Sequence, residues 1–398
     1  MLTYKGIQFR LYPDAKQQKQ MAQTFGCCRF VYNHFRASWE NTYTETGKGL
    51  SYKACANALP LLKGEVPFLK DVDSTALQKS VRSLADAYQR FYAKLGKYPR
   101  FKSKRNPLQS YTTAIQGKSQ VFTNTVTNNR IKLPKLGWVK IRGSRTIQGR
   151  IVSATITRKA SGRYIVSLKV EADVQPLPST GQSVGVDLGI TDFAILSSGE
   201  KMDNHRFTKA MRQKLAREQR KLSRRAEEAK RRGTPLHMAK NYQKQKRVVA
   251  RLHEKVANQR KDFLHKLSTD LIKNHDAIVV EDLHAKGMLR NRKLASAISD
   301  VSWSMFVTQL TYKADWYGKQ LIKVDRWFPS SSSVRAVGTT TERKDYTFVS
   351  GPAQPATLIT IATSTQRLTS SKRDSEPQEL RGSPSHERNP LPSINDVR

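Results

Sequence analysis

The chain is short of acids. Among 398 residues, Asp and Glu total 32 against 71 Lys and Arg, leaving a formal net charge of +39. Such an excess repels itself in a compact state and calls for a polyanionic partner, nucleic acid first and an anionic membrane surface second. Long apolar runs are also missing. None approaches the 18 residues of a membrane span, and the opening MLTYKGIQFR has no apolar stretch of the secretory kind, so the expected setting is the cytoplasm, close to nucleic acid. The three cysteines, Cys27, Cys28 and Cys55, are too few for a disulfide framework, and the vicinal pair reads as helix packing in a reducing compartment. Apolar content of 37% is still enough for a real core.

The charge that is present is unevenly placed. Residues 334–398 carry nine Lys/Arg and seven Asp/Glu, so nearly all of the excess lies before them. The break follows the serine run Ser330 to Ser333, beyond which the text turns Ser/Thr/Pro-rich and loses its periods, as a disordered tail does. Upstream, YKGIQFRLY (4–12) alternates as a strand, and Pro13-Asp14 opens a helix predicted to reach about Trp39. Helical spacing follows at Leu77, Val81, Leu84, Tyr88 and Phe91, then a basic loop, KYPRFKSKRNP (97–107). From 110 to 175 the period is two, with a hairpin across Ala160-Ser161-Gly162. Residues 1–175 therefore read as a β-unit with a helical insertion at about 13–105, and the Pro-rich 176–182 as a linker. SVGVDLGITDFAILSSGE then predicts strand, turn and strand. Residues 206–266 predict two long helices broken near Gly233-Thr234-Pro235, with 21 Lys/Arg against five Asp/Glu. A strand, AIVVEDL, comes next. It is followed by an amphipathic helix over 300–318, with Trp303, Phe306, Val307 and Leu310 inward, Asp300 and Gly318 as its caps, and a strand at 321–328. The fold class is α+β, in more than one domain.

Two carboxylates stand out. Asp187 lies in the apolar run Val184-Gly185-Val186-Asp187-Leu188-Gly189, and Glu281 in Ile278-Val279-Val280-Glu281-Asp282. An ionised carboxylate in such a strand is costly unless it is paired or holds a metal. Neighbouring side chains alternate, so Glu281 and Asp282 face opposite ways. On a basic chain, two acids at strand ends suggest Mg²⁺ held over a phosphodiester. A capping role in the following turns is the alternative. The nucleic-acid-binding candidates are Tyr98, Arg100, Phe101, Lys102, Lys104 and Arg105 in the basic loop, where rings could stack on bases, and Arg217, Arg220, Arg224 and Arg225 on the basic helices.

GVDLGI, a long basic helical segment, IVVEDL and VDRWFPSS, together with the opening YKGIQFRLYP and the YPRFKSK loop, resemble the TnpB (OrfB) proteins of bacterial insertion sequences over roughly residues 1–333. The resemblance implies a β-barrel with a helical insertion over 1–175. It implies an RNase H-like (RuvC-like) nuclease domain over 183–333, and cutting of DNA matched by a guide RNA from the element's end. It carries the family's first catalytic Asp onto Asp187 and its Glu onto Glu281, both as Mg²⁺ ligands. The family's third acid sits in an Asp-Arg-Asp-x-Asn-Ala motif after a four-cysteine zinc ribbon. Neither is in this sequence, so Zn²⁺ is expected to be absent.

Another reading frame can encode both. Let the last two bases of each true codon be the first two of the displayed one. Val334 and Val337 (GTN) then hide NGT, and Ala353 and Ala356 (GCN) hide NGC, all of which can encode Cys. The spacing becomes C-x2-C-x15-C-x2-C, as in a zinc site. Across Val349–Gln366 the hidden codons permit Arg-Glu-Trp-Thr-Cys-Pro-Thr-Cys-Asn-Thr-His-His-Asp-Arg-Asp-Ile-Asn-Ala. Residues 334–398 are therefore expected to be an out-of-frame tail. The chain is expected to bind DNA and guide RNA while being defective in cleavage, with no membrane role. A guide-directed repressor and a general RNA-binding protein are the competing readings; the latter gives no reason for acids inside apolar strands.

Overall fold

The computed structural model describes residues 2–114, 126–127, 129–143 and 147–324. The expected tail, and the end of the strand predicted over 321–328, lie outside the described residues.

Strand β1 (Leu2–Tyr12) leads into helix α1 (Ala15–Thr46). Asp14 starts α1 through a reciprocal cap: its carboxylate accepts the Gln17 N–H at 2.7 Å, and the Gln17 side chain accepts the Asp14 N–H at 3.2 Å. The helix runs past Trp39, where sequence spacing ended it, because the next backbone able to turn left-handed without strain is Gly47, at φ 68°. Helices α2 (Tyr52–Glu65) and α3 (Ser74–Tyr92) follow, with a 3₁₀ turn at Pro67–Asp71 between them. Asp73 caps α3 and also accepts from the Thr113 hydroxyl at 2.5 Å, which pins the helix to the next strand. Leu77, Val81, Leu84 and Tyr88 face inward as the spacing required, packing with Met21, Phe25, Val31 and Phe35 of α1. Cys27 and Cys28 are core residues of α1, and burial pushes their thiols up to about 11 and about 12.

Strands β2 (Gln109–Ala114), β3 (Val126–Thr127), β4 (Arg130–Leu133), β5 (Gly137–Arg142), β6 (Arg150–Arg158) and β7 (Tyr164–Asp173) join β1 in a seven-stranded sheet of order β2-β6-β7-β1-β5-β4-β3. Neighbouring strands in it run antiparallel, and no pairing closes β2 onto β3 among the described residues. The β6–β7 hairpin turns over Lys159–Arg163 as predicted, with Gly162 at φ 79°.

The second sheet holds β8 (Ser183–Leu188), β9 (Asp192–Leu196), β10 (Lys201–Asp203), β11 (Ala277–Glu281) and β12 (Gln320–Val324), in the order β10-β9-β8-β11-β12. β9 runs antiparallel to both neighbours, whereas β8, β11 and β12 are parallel. Helices α4 (Phe207–Arg231) and α5 (Lys240–Asn274) form the basic pair, parted around Gly233-Thr234-Pro235. Short α6 (Ala285–Met288), α7 (Ala295–Val301) and α8 (Trp303–Tyr317) complete the described elements. Leu264, Leu271 and Ile272 of α5 and Trp303, Phe306 and Leu310 of α8 cover the buried residues of this sheet, with Phe193 edge-on to both Phe263 and Phe306.

One expectation is corrected. Asp300 does not cap α8. Ser302 occupies that position at φ 60°, and Asp300, buried at the end of α7, accepts the Thr208 N–H and hydroxyl and pairs with Arg260 at 2.6 Å. A carboxylate beside a half-buried guanidinium gains more there than at an open helix start. Residues 176–182, expected as a linker, are tied down: Leu177 donates to Tyr317 O, and Ser179, Thr180 and Gly181 all donate to Asp276. Among the described residues, no helix is long and apolar enough to cross a membrane.

Candidate functional site

Asp187 is the penultimate residue of β8 and Glu281 the last of β11. The parallel register pairs Val186 with Val280, so each carboxylate follows a matched residue on an adjacent strand. Both side chains are half-buried. Burial pushes the Asp187 carboxyl above its ordinary range; Glu281 is raised by burial first and then by the charge of Asp187. The two acids thus feel one another, as a pair sharing a site does. Asp282 lies just past the end of β11 and is exposed, its N–H donating to Val324 O.

The turn after Asp187 is tightly built. Gly189 donates to Phe193 O, and a Cβ there would lie 2.8 Å from Asp192 O, so only glycine closes the β8–β9 hairpin this way. Asn204, which sequence reasoning missed, donates its side-chain N–H to Ile190 O at 2.7 Å and holds the same turn from behind. Two hard oxygen donors, half-buried and mutually repelling, suit a divalent cation. Among the described residues no third His, Cys, Asp or Glu joins them in a metal-holding group.

The basic loop is more engaged internally than its sequence suggested. Arg36, buried in α1, donates to Pro99 O at 2.9 Å and lies 3.7 Å over the Phe101 ring. Tyr98 meets Phe91 and Tyr88 edge-on at 5.3 and 5.8 Å. Asn33 exchanges two hydrogen bonds with the Lys102 backbone, and the Lys102 ammonium sits 3.9 Å over Tyr32, where burial lowers its pKa. All six candidates, Tyr98, Arg100, Phe101, Lys102, Lys104 and Arg105, nonetheless keep exposed surface, 37% for Tyr98 and 49% for Phe101. On α4, Arg217, Arg220 and Arg224 are exposed, with Glu218 near Arg217 at 3.7 Å. Arg225 is half-buried and donates to Asn241 O at 3.0 Å, so it joins α4 to α5.

A further basic face escaped the sequence reading. On the side of β1, β5 and β4 turned from the core lie Arg10 opposite Arg142, Tyr12 opposite Lys140, Lys140 opposite Arg130 and Trp138 opposite Lys132. All are exposed, and no ion pair among the described residues neutralises the cations. Like charges directly across a ladder destabilise it, which a polyanion would offset. The signal was the alternation Arg130-Ile131-Lys132 and Val139-Lys140-Ile141-Arg142.

Three family models match the chain. One described as "Probable transposase" (OrfB of the IS605 type) covers residues 166–292, from within β7 to just beyond α6. A "Helix-turn-helix domain" model of the same family covers 1–48, which here is β1 and one long helix. A "Cas12f1-like, TNB domain" model covers 303–351, from α8 past Ser333 to Gly351. Among curated proteins, a "Putative RNA-guided DNA endonuclease" of Streptomyces pristinaespiralis is 37% identical over 84% of this chain and 81% of its own length. The "Putative RNA-guided DNA endonuclease InsQ" of Escherichia coli K12 is 32% identical over 81% of each. A chain of a solved Cas12f1–sgRNA–target DNA complex aligns at 11% identity and TM-score 0.37, over 81% of this chain and 89% of that one, a likeness too weak to assign a fold.

Proposed function

Because the chain belongs to the TnpB (OrfB) family of insertion-sequence proteins, we propose that it is a guide-RNA- and DNA-binding protein built as a metal-dependent endonuclease and defective in cleavage as written. The observation that carries this reading is the placement of Asp187 and Glu281 after matched residues of two parallel strands, with pKa values raised together. The strand order β10-β9-β8-β11-β12, with only β9 reversed, supports an RNase H-like (RuvC-like) domain around them. The antiparallel sheet with its inserted helices supports a barrel-type N-terminal half. Asp187 and Glu281 would hold Mg²⁺, which when bound stabilises the attacking and leaving oxygens of a phosphodiester. The protein's own contribution is to aim both carboxylates to one side and keep their surroundings partly dry. The exposed arginines of α4 and the β1–β5–β4 face would hold nucleic acid by its phosphates.

The defect follows from sequence. After Ser333 there is no Asp-Arg-Asp-x-Asn-Ala motif and no cysteine, so a third acid and a zinc ribbon are both lacking. The test is a plasmid-cleavage assay with Mg²⁺, target DNA and a guide transcribed from the element's end. The chain as written should bind and not cut. Restoring the frame at the serine run should restore cutting, and Asp187→Ala in the restored chain should abolish it with binding intact. Full cleavage by the unrestored chain would overturn the reading.

A further inference from the structure

Hairpin partners have their register fixed by the turn between them. Parallel neighbours such as β8 and β11 have no such turn, and a one-residue slip would reverse which face each side chain occupies. A slip of β11 would set Glu281 beside Val186 or Leu188 and turn it from Asp187. Something outside the strands has to set the alignment.

Asp276, the residue before β11, is placed to do so. Its carboxylate accepts from the Ser179 hydroxyl at 2.6 Å, from the Thr180 N–H at 2.9 Å, from the Gly181 N–H at 2.7 Å and from the Lys319 ammonium. Its backbone N–H donates to Gln182 O at 2.8 Å, and its carbonyl accepts from the Gln320 N–H at 2.8 Å. Lys319 has a side chain only 2% exposed and also donates to Pro178 O at 2.8 Å, so its charge is removed from water and rests on this one carboxylate. One residue therefore touches the segments that enter β8, β11 and β12. The intervals match: Gln182 to Asp187 and Asp276 to Glu281 span the same number of residues, as do Asp276 to Glu281 and Lys319 to Val324. Alignment at the start of the strands becomes alignment at their carboxylate ends.

We infer that Asp276 is a positioning residue for the two-carboxylate site: by clamping Ser179–Gly181 and Lys319 it sets the register that brings Asp187 and Glu281 side by side. The Lys319 ammonium and then the Ser179 hydroxyl hold its carboxyl well below the usual carboxylate range, so the clamp is ionised across neutral pH. The metal part of the test rests on the proposed function; the metal-free part does not.

The experiment uses the full chain and reads Mn²⁺ affinity by electron paramagnetic resonance, the thermal midpoint, and disulfide trapping in an Asp187→Cys/Glu281→Cys pair without metal. The native cysteines are buried and do not compete. Asp276→Ala should lower the midpoint, weaken Mn²⁺ binding about tenfold, as loss of an orienting partner does, and cut the trapping yield severalfold. Asp276→Ala/Lys319→Met removes the stranded ammonium. It should recover the midpoint while leaving both other readouts impaired. Should Asp276→Ala not fold, Asp276→Asn, which keeps the size and loses the ion pair, replaces it in both arms. Metal affinity and trapping that recover in step with the midpoint, or that never change, would show an ordinary stabilising ion pair and overturn the inference. If the unmodified chain binds no Mn²⁺, the metal role of Asp187 and Glu281 fails and the trapping yield alone decides.

Discussion

Asp187 and Glu281 each stand one residue beyond a matched pair, Val186 and Val280, on parallel strands, and the charge of the first raises the pKa of the second. Without a cation the protein bears an electrostatic cost at this point.

Both carboxyls have folded pKa values above their ordinary ones, so the folded state holds protons that the unfolded state would release. Their penalty is absent below the unfolded carboxylate range and grows as pH rises through it to the raised folded values. Asp187→Asn should therefore raise the metal-free thermal midpoint at pH 7 by about 2 °C, with little effect below pH 4. Added Mg²⁺ should raise the midpoint of the unmodified chain and not that of the variant. Scanning calorimetry at the two pH values checks both.

Reversing Arg220 and Arg224, which face solvent from α4, should weaken single-stranded RNA binding and leave the midpoint unchanged. The log–log salt slope should fall by about 0.7 for each phosphate that is no longer neutralised. Arg225→Ala should behave differently and lower the midpoint, because Arg225 bonds Asn241 O across the helix pair. Anisotropy titrations over a salt series separate the two.

Lys313 is buried on α8, and its ammonium donates to His265 O, the Ser268 hydroxyl and the Thr269 hydroxyl, none of them charged. Burial brings its pKa down to about 8. The folded state sheds this proton before the unfolded state does, so stability should climb as pH rises from about 8 towards the ordinary lysine value. Lys313→Met should remove that climb and raise the midpoint at pH 7. An unchanged pH profile in denaturant melts would rule this out.

Asp300→Ala strands the Arg260 guanidinium, whose side chain is 18% exposed, and frees the start of α4. The cost should be about 3 kcal/mol, as for other broken buried pairs. Asp300→Asn should cost less, since an amide oxygen can still accept from Thr208. Urea unfolding of the two variants gives the comparison.

Much of this was legible in the sequence because it is local. Alternation marks β1, β6 and β7; the Gly233-Thr234-Pro235 break divides α4 from α5; apolar strands expose Asp187 and Glu281 as anomalies. What stayed hidden depends on distant partners. Asp300 looked like a helix cap because its real partners, Arg260 and Thr208, lie 40 and 92 residues away. The Pro/Ser/Gly composition of 176–182 marked a linker, and the partners that hold it, Asp276, Tyr317 and Lys319, lie far along the chain, Asp276 being 96 residues from Thr180. The contacts of Arg36, Tyr32 and Asn33 with Tyr98, Phe101 and Lys102 were also hidden, since they join α1 to a loop more than 60 residues on.

The hairpin turn of the first sheet bears on how the chain can be divided. Lys159 and Arg163 pair with Glu254 of α5 at 3.1 and 3.3 Å, and the Lys5 ammonium lies 5.4 Å over the Trp316 ring of α8. Severing the chain in its proline-rich stretch would look harmless in a sequence diagram. It would strip Glu254, whose side chain is 8% exposed, of both its counter-ions and take the Lys5 ammonium from the Trp316 ring. Fragments prepared that way would carry wounds that the whole protein does not have, and their weak binding or poor solubility would report the cut.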